Sequence, residues 1–192
     1  MTKSELRATY LKKRNLLSAA ELASQSQQIA GRFFETVKLQ GIHYLHIFIP
    51  IKKFNEINTR HIYRRIWTEY PQIKTVVPRV NFTSGEMEHI AFTAETRFTE
   101  NKWGITEPDD GESVDAAEID LVLMPLLCID ERGYRIGYGK GFYDKFLSRC
   151  RPNCEKIGLS YFLPVATIAD ASAHDVRLDR CITPEKTFSF TN

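Results

Sequence analysis

The chain carries four cysteines, and none forms a Cys-x-x-Cys pair or has a histidine close enough to complete a zinc site. Cys128, Cys150, Cys154 and Cys181 are therefore expected as reduced thiols in the core or at the surface. No apolar run approaches the ~20 residues that cross a bilayer. The opening MTKSELRATYLKKRN lacks the apolar segment of a signal peptide. A cytoplasmic location without a membrane partner is the expectation. A net charge of +2 is too small for the field that nucleic-acid binding needs, so no such partner is expected either. Internal repeats and low-complexity segments are also missing. What remains is an ordinary globular composition, 43% apolar and 26% charged, over 192 residues. That is enough chain for one domain with a substantial core.

The informative stretch is LVLMPLLCIDERGYRIGYGKGFYDKFL, residues 121–147. The apolar run Leu121 to Ile129 reads as a buried strand. A loop follows with Gly137, Gly139 and Gly141 spaced two apart and with Arg132, Arg135 and Lys140 around them. A helix then starts near Phe142, with Asp144 in its first turn. Glycines let backbone amides approach oxygens closely, and a helix start adds positive potential. Three glycines alone would describe any tight strand-to-helix connection. Three glycines among three cations describe a phosphate loop. The spacing excludes two relatives. A P-loop needs Ser or Thr after its Gly-Lys, where Gly141 stands, and the dinucleotide fingerprint needs a third glycine where Phe142 stands.

Elsewhere the pattern alternates. Lys3 to Leu17 is rich in helix formers, and at about 100° per residue Lys3, Arg7, Tyr10 and Arg14 share one stripe beside Leu6 and Leu17. Such cations either point at something or lie solvated over apolar neighbours, and spacing does not choose. Ser18 to Glu21 is a capping box for a second helix, with Leu22, Ile29, Phe33 and Val37 on its apolar face. Tyr44 to Ile49 reads as a strand, Thr59 to Tyr70 as a helix capped by Asn58, and Lys74 to Val80 as a strand whose Pro78 suits an edge or end. Met87 to Thr93, Lys156 to Phe162 and Arg180 to Thr183 are further strands. Asp109 to Glu118 is an acidic surface loop, and the helix from Phe142 is expected to run through Cys150. The fold class is α/β, a largely parallel sheet with helices on both faces, where ligands gather at the carboxyl ends of the strands.

KSELR, NEINT, PRV, WGITEP, RGYRIGYGKGFYD and HDVRLD occur in the order and spacing of a known family. The chain resembles the 5-formyltetrahydrofolate cyclo-ligases, also called methenyltetrahydrofolate synthetases. The resemblance implies one domain over residues 1–192 with an α/β sandwich of the sugar-phosphate isomerase and CoA-transferase type. It also implies an ATP- and Mg2+-dependent ring closure by a monomer acting on small molecules. It puts Lys3 and Arg7 on the nucleotide phosphates, with Arg135, Ile136, Gly137, Tyr138, Gly139, Lys140, Gly141, Phe142 and Tyr143 as the ATP loop. Tyr138 to Phe142 would also border the folate. Lys140 and Arg135 would stabilise phosphoryl transfer. Asp144 and Asp175 would be the magnesium carboxylates, although by residue type alone they read equally as a helix-start anion and a turn residue. Glu56 would take the pterin edge, whose adjacent N–H donors suit a carboxylate, and Trp103 would stack on the ring. Ile51 and Phe54 would line the apolar wall. Arg79 is a weaker anion contact, and His61 and His89 match no family role. Phe142 stands where many members have tyrosine.

Overall fold

The computed structural model describes residues 1–81, 83–172 and 174–190. Two helices open the chain: α1 (Lys3–Asn15) and α2 (Ala19–Thr36). Each starts with a reciprocal cap, Thr2 with Glu5 and Ser18 with Glu21, which satisfies two otherwise unpaired amides per helix. Next come β1 (Tyr44–His46), a single 3-10 turn at Lys52–Phe54, and α3 (Arg60–Glu69). Asn58 Oδ1 accepts from the Arg60 N–H at 3.2 Å, but the N-cap position is Thr59 and not Asn58, and the Thr59 hydroxyl is turned to the Phe48 carbonyl. The hairpin β2 (Lys74–Asn81) and β3 (Glu86–Phe92) precedes a small hairpin, β4 (Phe98–Glu100) and β5 (Thr106–Pro108). Then follow β6 (Leu121–Pro125), β7 (Cys128–Ile129), β8 (Arg135–Ile136) and α4 (Phe142–Leu147). The chain closes with β9 (Glu155–Leu159), β10 (Arg180–Ile182) and β11 (Thr187–Ser189).

The main sheet runs β11-β10-β9-β6-β1-β2-β3. Its five inner strands pair parallel, and antiparallel β3 and β11 close the two edges. Side chains alternate between two cores. Leu121, Leu123, Leu45 and Ile157 meet α2 and α3 on one face, through Ile29, Phe33, Ile62 and Ile66. Val122, Met124, Val76 and Cys181 meet Phe146 and Leu147 of α4 on the other. This is the α/β architecture expected, with helices on both faces.

The details correct several boundaries. The apolar run from Leu121 does not stay in one strand to Ile129. It leaves the sheet after Pro125, and β7 turns back on β8 in a separate two-stranded ribbon. Asp130, fully buried, makes that turn: its Oδ1 accepts from the Arg132 and Tyr134 amides at 3.0 Å each. Gly133 follows at φ +88, where a side chain would strike the Leu178 carbonyl. The helix from Phe142 ends at Leu147 rather than reaching Cys150, and the strand expected at Lys156–Phe162 spans Glu155–Leu159. Pro78 belongs to an internal strand, but beyond the Lys74–Val76 segment that pairs with β1, where β2 has already lost one neighbour. The acidic stretch is a surface loop in its charges only. Val114 and Ala116 are buried, and Ala91 donates to the Glu112 carbonyl beside β3. All four cysteines are free thiols.

Candidate active site

The glycine loop lies beyond the carboxyl end of β6, and α1 packs against the ribbon that carries it. Leu6 and Tyr10 are buried against Leu127, Cys128 and Ile136. That packing turns the basic stripe of α1 inward, along the loop. Arg7 Nε donates to the Gly137 carbonyl at 2.9 Å. Gly139 sits at φ +83, which favours glycine, and a Cβ there would lie 3.0 Å from Arg7 Nη2 and press on the guanidinium. Lys3 Nζ donates to both oxygens of Asp175 at 2.7 and 2.6 Å. Lys140 is exposed at the loop's crest and makes no hydrogen bond or ion pair among the described residues.

One wall of the loop is closed. The Tyr138 ring stacks on Phe54 with centroids 4.8 Å apart, and its hydroxyl donates to Glu56 Oε1 at 2.7 Å. Glu56 Oε2 accepts the Ile51 N–H at 2.8 Å. Glu56 is only 8% exposed. Burial raises its carboxyl above the ordinary range, opposed by the Ile51 amide, the Tyr138 hydroxyl and the Arg14 charge. Thus Ile51, Phe54 and Glu56 of one short segment meet Tyr138, more than eighty residues away in sequence, at one point. Trp103 stands at the margin of this group. Lys53, beside Phe54, donates to its carbonyl, and the Lys102 ammonium lies 4.5 Å from its ring centroid.

The other wall carries the two aspartates. Arg135 Nη2 donates to Asp144 Oδ1 at 2.8 Å, and the same oxygen accepts the Val176 N–H at 3.2 Å. Asp144 therefore sits directly against the backbone that follows Asp175. For Asp175, partial burial pulls the carboxyl up, but the Lys3 ammonium and the Ser172 amide outweigh it and hold it below its usual range. Among the described residues no group of three or more His, Cys, Asp or Glu could hold a metal. Two neighbouring carboxylates do suit an ion such as magnesium, which takes one or two of them and completes its shell with water and phosphate oxygens.

Several expected contacts are narrowed. The Ile136 side chain is 1% exposed and belongs to the core under α1, which leaves only its backbone for a ligand. Tyr143 turns its ring toward His46 and Phe146, and its buried hydroxyl has no hydrogen-bond partner among the described residues. Phe142 lines a cavity of about 190 Å3 with Ser84, His89, Lys145 and Arg149, on the β3 side of the loop. Arg79 pairs with Glu88 across β2 and β3 at 2.7 Å, so it is engaged at the sheet edge instead of at an anion. His89 is buried beside Phe146, with ring centroids 4.0 Å apart. Its burial, together with the nearby Arg149 charge, lowers its pKa to about 4, so it is neutral near pH 7. Arg14 was read only as part of the stripe, with no site role. It is 3% exposed and donates to Tyr138, Phe54 and Leu126. Its place one turn beyond Tyr10 on the stripe was the available signal.

The structure thus places a cationic glycine loop at the carboxyl end of a parallel sheet, between a buried glutamate and two aspartates. The model of the 5-formyltetrahydrofolate cyclo-ligase family matches residues 1–184, and the chain belongs to that family. It is 30% identical to the 5-formyltetrahydrofolate cyclo-ligase of Mycoplasma pneumoniae, over 96% of this chain and all of that protein. It is 27% identical to the mouse enzyme of the same name, over 94% and 92%. The solved 5,10-methenyltetrahydrofolate synthetase of Aquifex aeolicus superposes with a TM-score of 0.83 at 26% identity, covering 100% of this chain and 94% of that one. Among the described residues no helix is long and apolar enough to cross a membrane.

Proposed function

We propose that the protein closes 5-formyltetrahydrofolate to 5,10-methenyltetrahydrofolate, with conversion of ATP to ADP and phosphate. The observation that carries this reading is the double engagement of one loop. Tyr138 touches the buried Glu56 on one side, while Arg135, three residues before it, pairs with Asp144 on the other. A phosphate held by this loop would therefore lie next to a ligand held by Glu56.

The chemistry asks for such adjacency. A formyl oxygen is a poor leaving group, so it first takes the terminal phosphoryl group of ATP. The neighbouring ring-linking amine of the folate then attacks the activated carbon, and phosphate departs with the former formyl oxygen. Both reacting partners belong to the substrate, so the protein supplies alignment and charge stabilisation rather than a nucleophile. Lys140, exposed and without a partner among the described residues, is the cation best able to follow the transferring group. Arg7 and the loop amides would cradle the remaining phosphates, and Lys3 and Arg135 would exchange part of their carboxylate contact for phosphate. Asp144 and Asp175 would hold a magnesium ion, which when bound offsets phosphate charge. The Glu56 carboxylate would accept the pterin donors beside Phe54.

The test follows the ultraviolet absorbance of the methenyl product formed from 5-formyltetrahydrofolate, with and without ATP and magnesium. Product that requires both is expected. A purified protein that binds ATP yet forms none would be a non-catalytic relative.

A further inference from the structure

Arg14 is the most buried cation of α1, at 3% exposure, and the most heavily used. Its guanidinium donates to the Leu126 carbonyl just past β6, to the Phe54 carbonyl at 3.4 Å and to the Tyr138 hydroxyl at 3.0 Å. A guanidinium has no acceptor. The Tyr138 oxygen must therefore accept from Arg14, and its single proton is left for Glu56 Oε1, 2.7 Å away. Without Arg14 the hydroxyl could rotate, and the protonated carboxyl could itself become the donor. We propose that Arg14 is a positioning residue for folate recognition: it fixes the Tyr138 hydroxyl as a donor and thereby presents Glu56 to the pterin edge as an acceptor-only carboxylate. This rests on reading Glu56 as the group that meets the pterin.

The electrostatics agree with the geometry. Glu56 is bonded by Tyr138 of the glycine loop, and Arg14 of α1, Tyr143 of α4 and Tyr161 after β9 lie within its electrostatic reach, with Arg135 acting on Tyr143. Arg14 is the one cation among these that lowers the Glu56 carboxyl, against the burial that raises it. Removing it leaves burial less opposed, so Glu56 should take up a proton at higher pH.

The experiment compares wild type, Arg14→Met, Arg14→Lys and Tyr138→Phe. Glu56 is titrated by carboxyl 13C NMR, its signal assigned with Glu56→Gln, and 5-formyltetrahydrofolate and ATP are titrated separately by calorimetry across pH. In Arg14→Met the Glu56 titration should move to higher pH. Folate affinity should fall about tenfold, the size of a lost hydrogen bond to a charged group, with the deficit growing as pH falls. ATP affinity should stay within about twofold. Tyr138→Phe should shift the Glu56 titration in the same direction. Arg14→Lys keeps a cation near the hydroxyl and should lie between wild type and Arg14→Met, which also serves if Arg14→Met does not fold. An unmoved Glu56 titration with equal losses for both ligands would make Arg14 a structural clamp and overturn the proposal. A shifted titration without any folate binding by wild type would instead reject Glu56 as the folate group while leaving the Arg14–Glu56 coupling standing. Because binding is read without turnover, failure of the ATP-dependent reaction is seen separately.

Discussion

The two walls of the glycine loop are built on opposite principles. On the Glu56 side the groups are linked to one another inside the protein, Tyr138 and the Ile51 amide on the carboxylate and Arg14 on Tyr138, while among the described residues the buried Arg14 Nε has no partner. On the aspartate side the groups are oppositely charged and, apart from the Arg135 side chain, partly open, Lys3 against Asp175 and Arg135 against Asp144, with Lys140 beyond them unpaired among the described residues. A buried, directional network suits a ligand recognised by shape and hydrogen-bond pattern. Ion pairs at a partly open surface are individually weak and exchange partners readily, which suits phosphates and a metal that come and go. Neutralising the carboxylates with lysine and arginine lowers the repulsion the loop would otherwise exert on anions.

This contrast can be broken at its strongest point first. Lys140→Ala should lower turnover on the order of a hundredfold, roughly 3 kcal/mol, with a much smaller change in ATP affinity, because the cation acts where charge develops. Single-turnover kinetics check this, and near-wild-type rates would return Lys140 to the solvent-exposed loop. Glu56→Gln should weaken 5-formyltetrahydrofolate about tenfold or more while sparing ATP, since an amide presents a donor where the pterin also donates. Calorimetry with each ligand alone decides it, and parallel losses would point to folding.

A subtler effect concerns Asp144 and Asp175. Asn at either should raise the magnesium concentration needed for half-maximal rate several-fold, and the double mutant should cost less than the two singles combined. Strict additivity with an unchanged magnesium requirement would reduce both to the ion pairs seen here.

The smallest expected effect has opposite signs on the two walls. Burial holds the Glu56 carboxyl above its unfolded value, so its contribution to stability is present at low pH and lost as pH rises through the folded value. Asp175 is held below its unfolded value by Lys3 and Ser172, so its contribution is present above the unfolded value and lost as pH falls through the folded one. Between about pH 3 and about pH 8, Glu56→Gln should therefore gain melting temperature relative to wild type as pH rises, and Asp175→Asn should lose it, each by less than about 1 kcal/mol. Thermal melts across that range would show two difference curves of opposite slope, and curves of the same sign would erase the distinction between the walls.

Much of this was legible in the chain. The Ser18–Glu21 capping box, the alternation of strands with helices and the cationic glycine loop are local patterns, and each stands where the sequence places it, whereas the Thr2–Glu5 box emerges only in the structure. The run from Leu121 to Ile129 was misread because apolar content alone cannot show where a strand leaves its sheet. The signal was the turn chemistry of Asp130 and Gly133, outweighed by nine apolar or near-apolar residues before it. The short hairpin Phe98–Glu100 and Thr106–Pro108 escaped for the opposite reason: strands of three residues leave too little alternation to detect.

The sequence by itself determined the class of fold, the glycine-rich cationic character of the loop and the residue types available to it, because these depend on spacing within a single segment. Only the tertiary structure decided which residues those types would meet. Arg14 and Glu56 lie in different elements, and both reach Tyr138 because α1 packs on the ribbon after β6 while the chain following β1 ends against the same loop. No local pattern encodes that a stripe of helical cations will face inward, since solvated and buried arginines have the same spacing. The choice is made by the apolar contacts of Leu6 and Tyr10, which bury one side of the helix and carry Arg14 in with it.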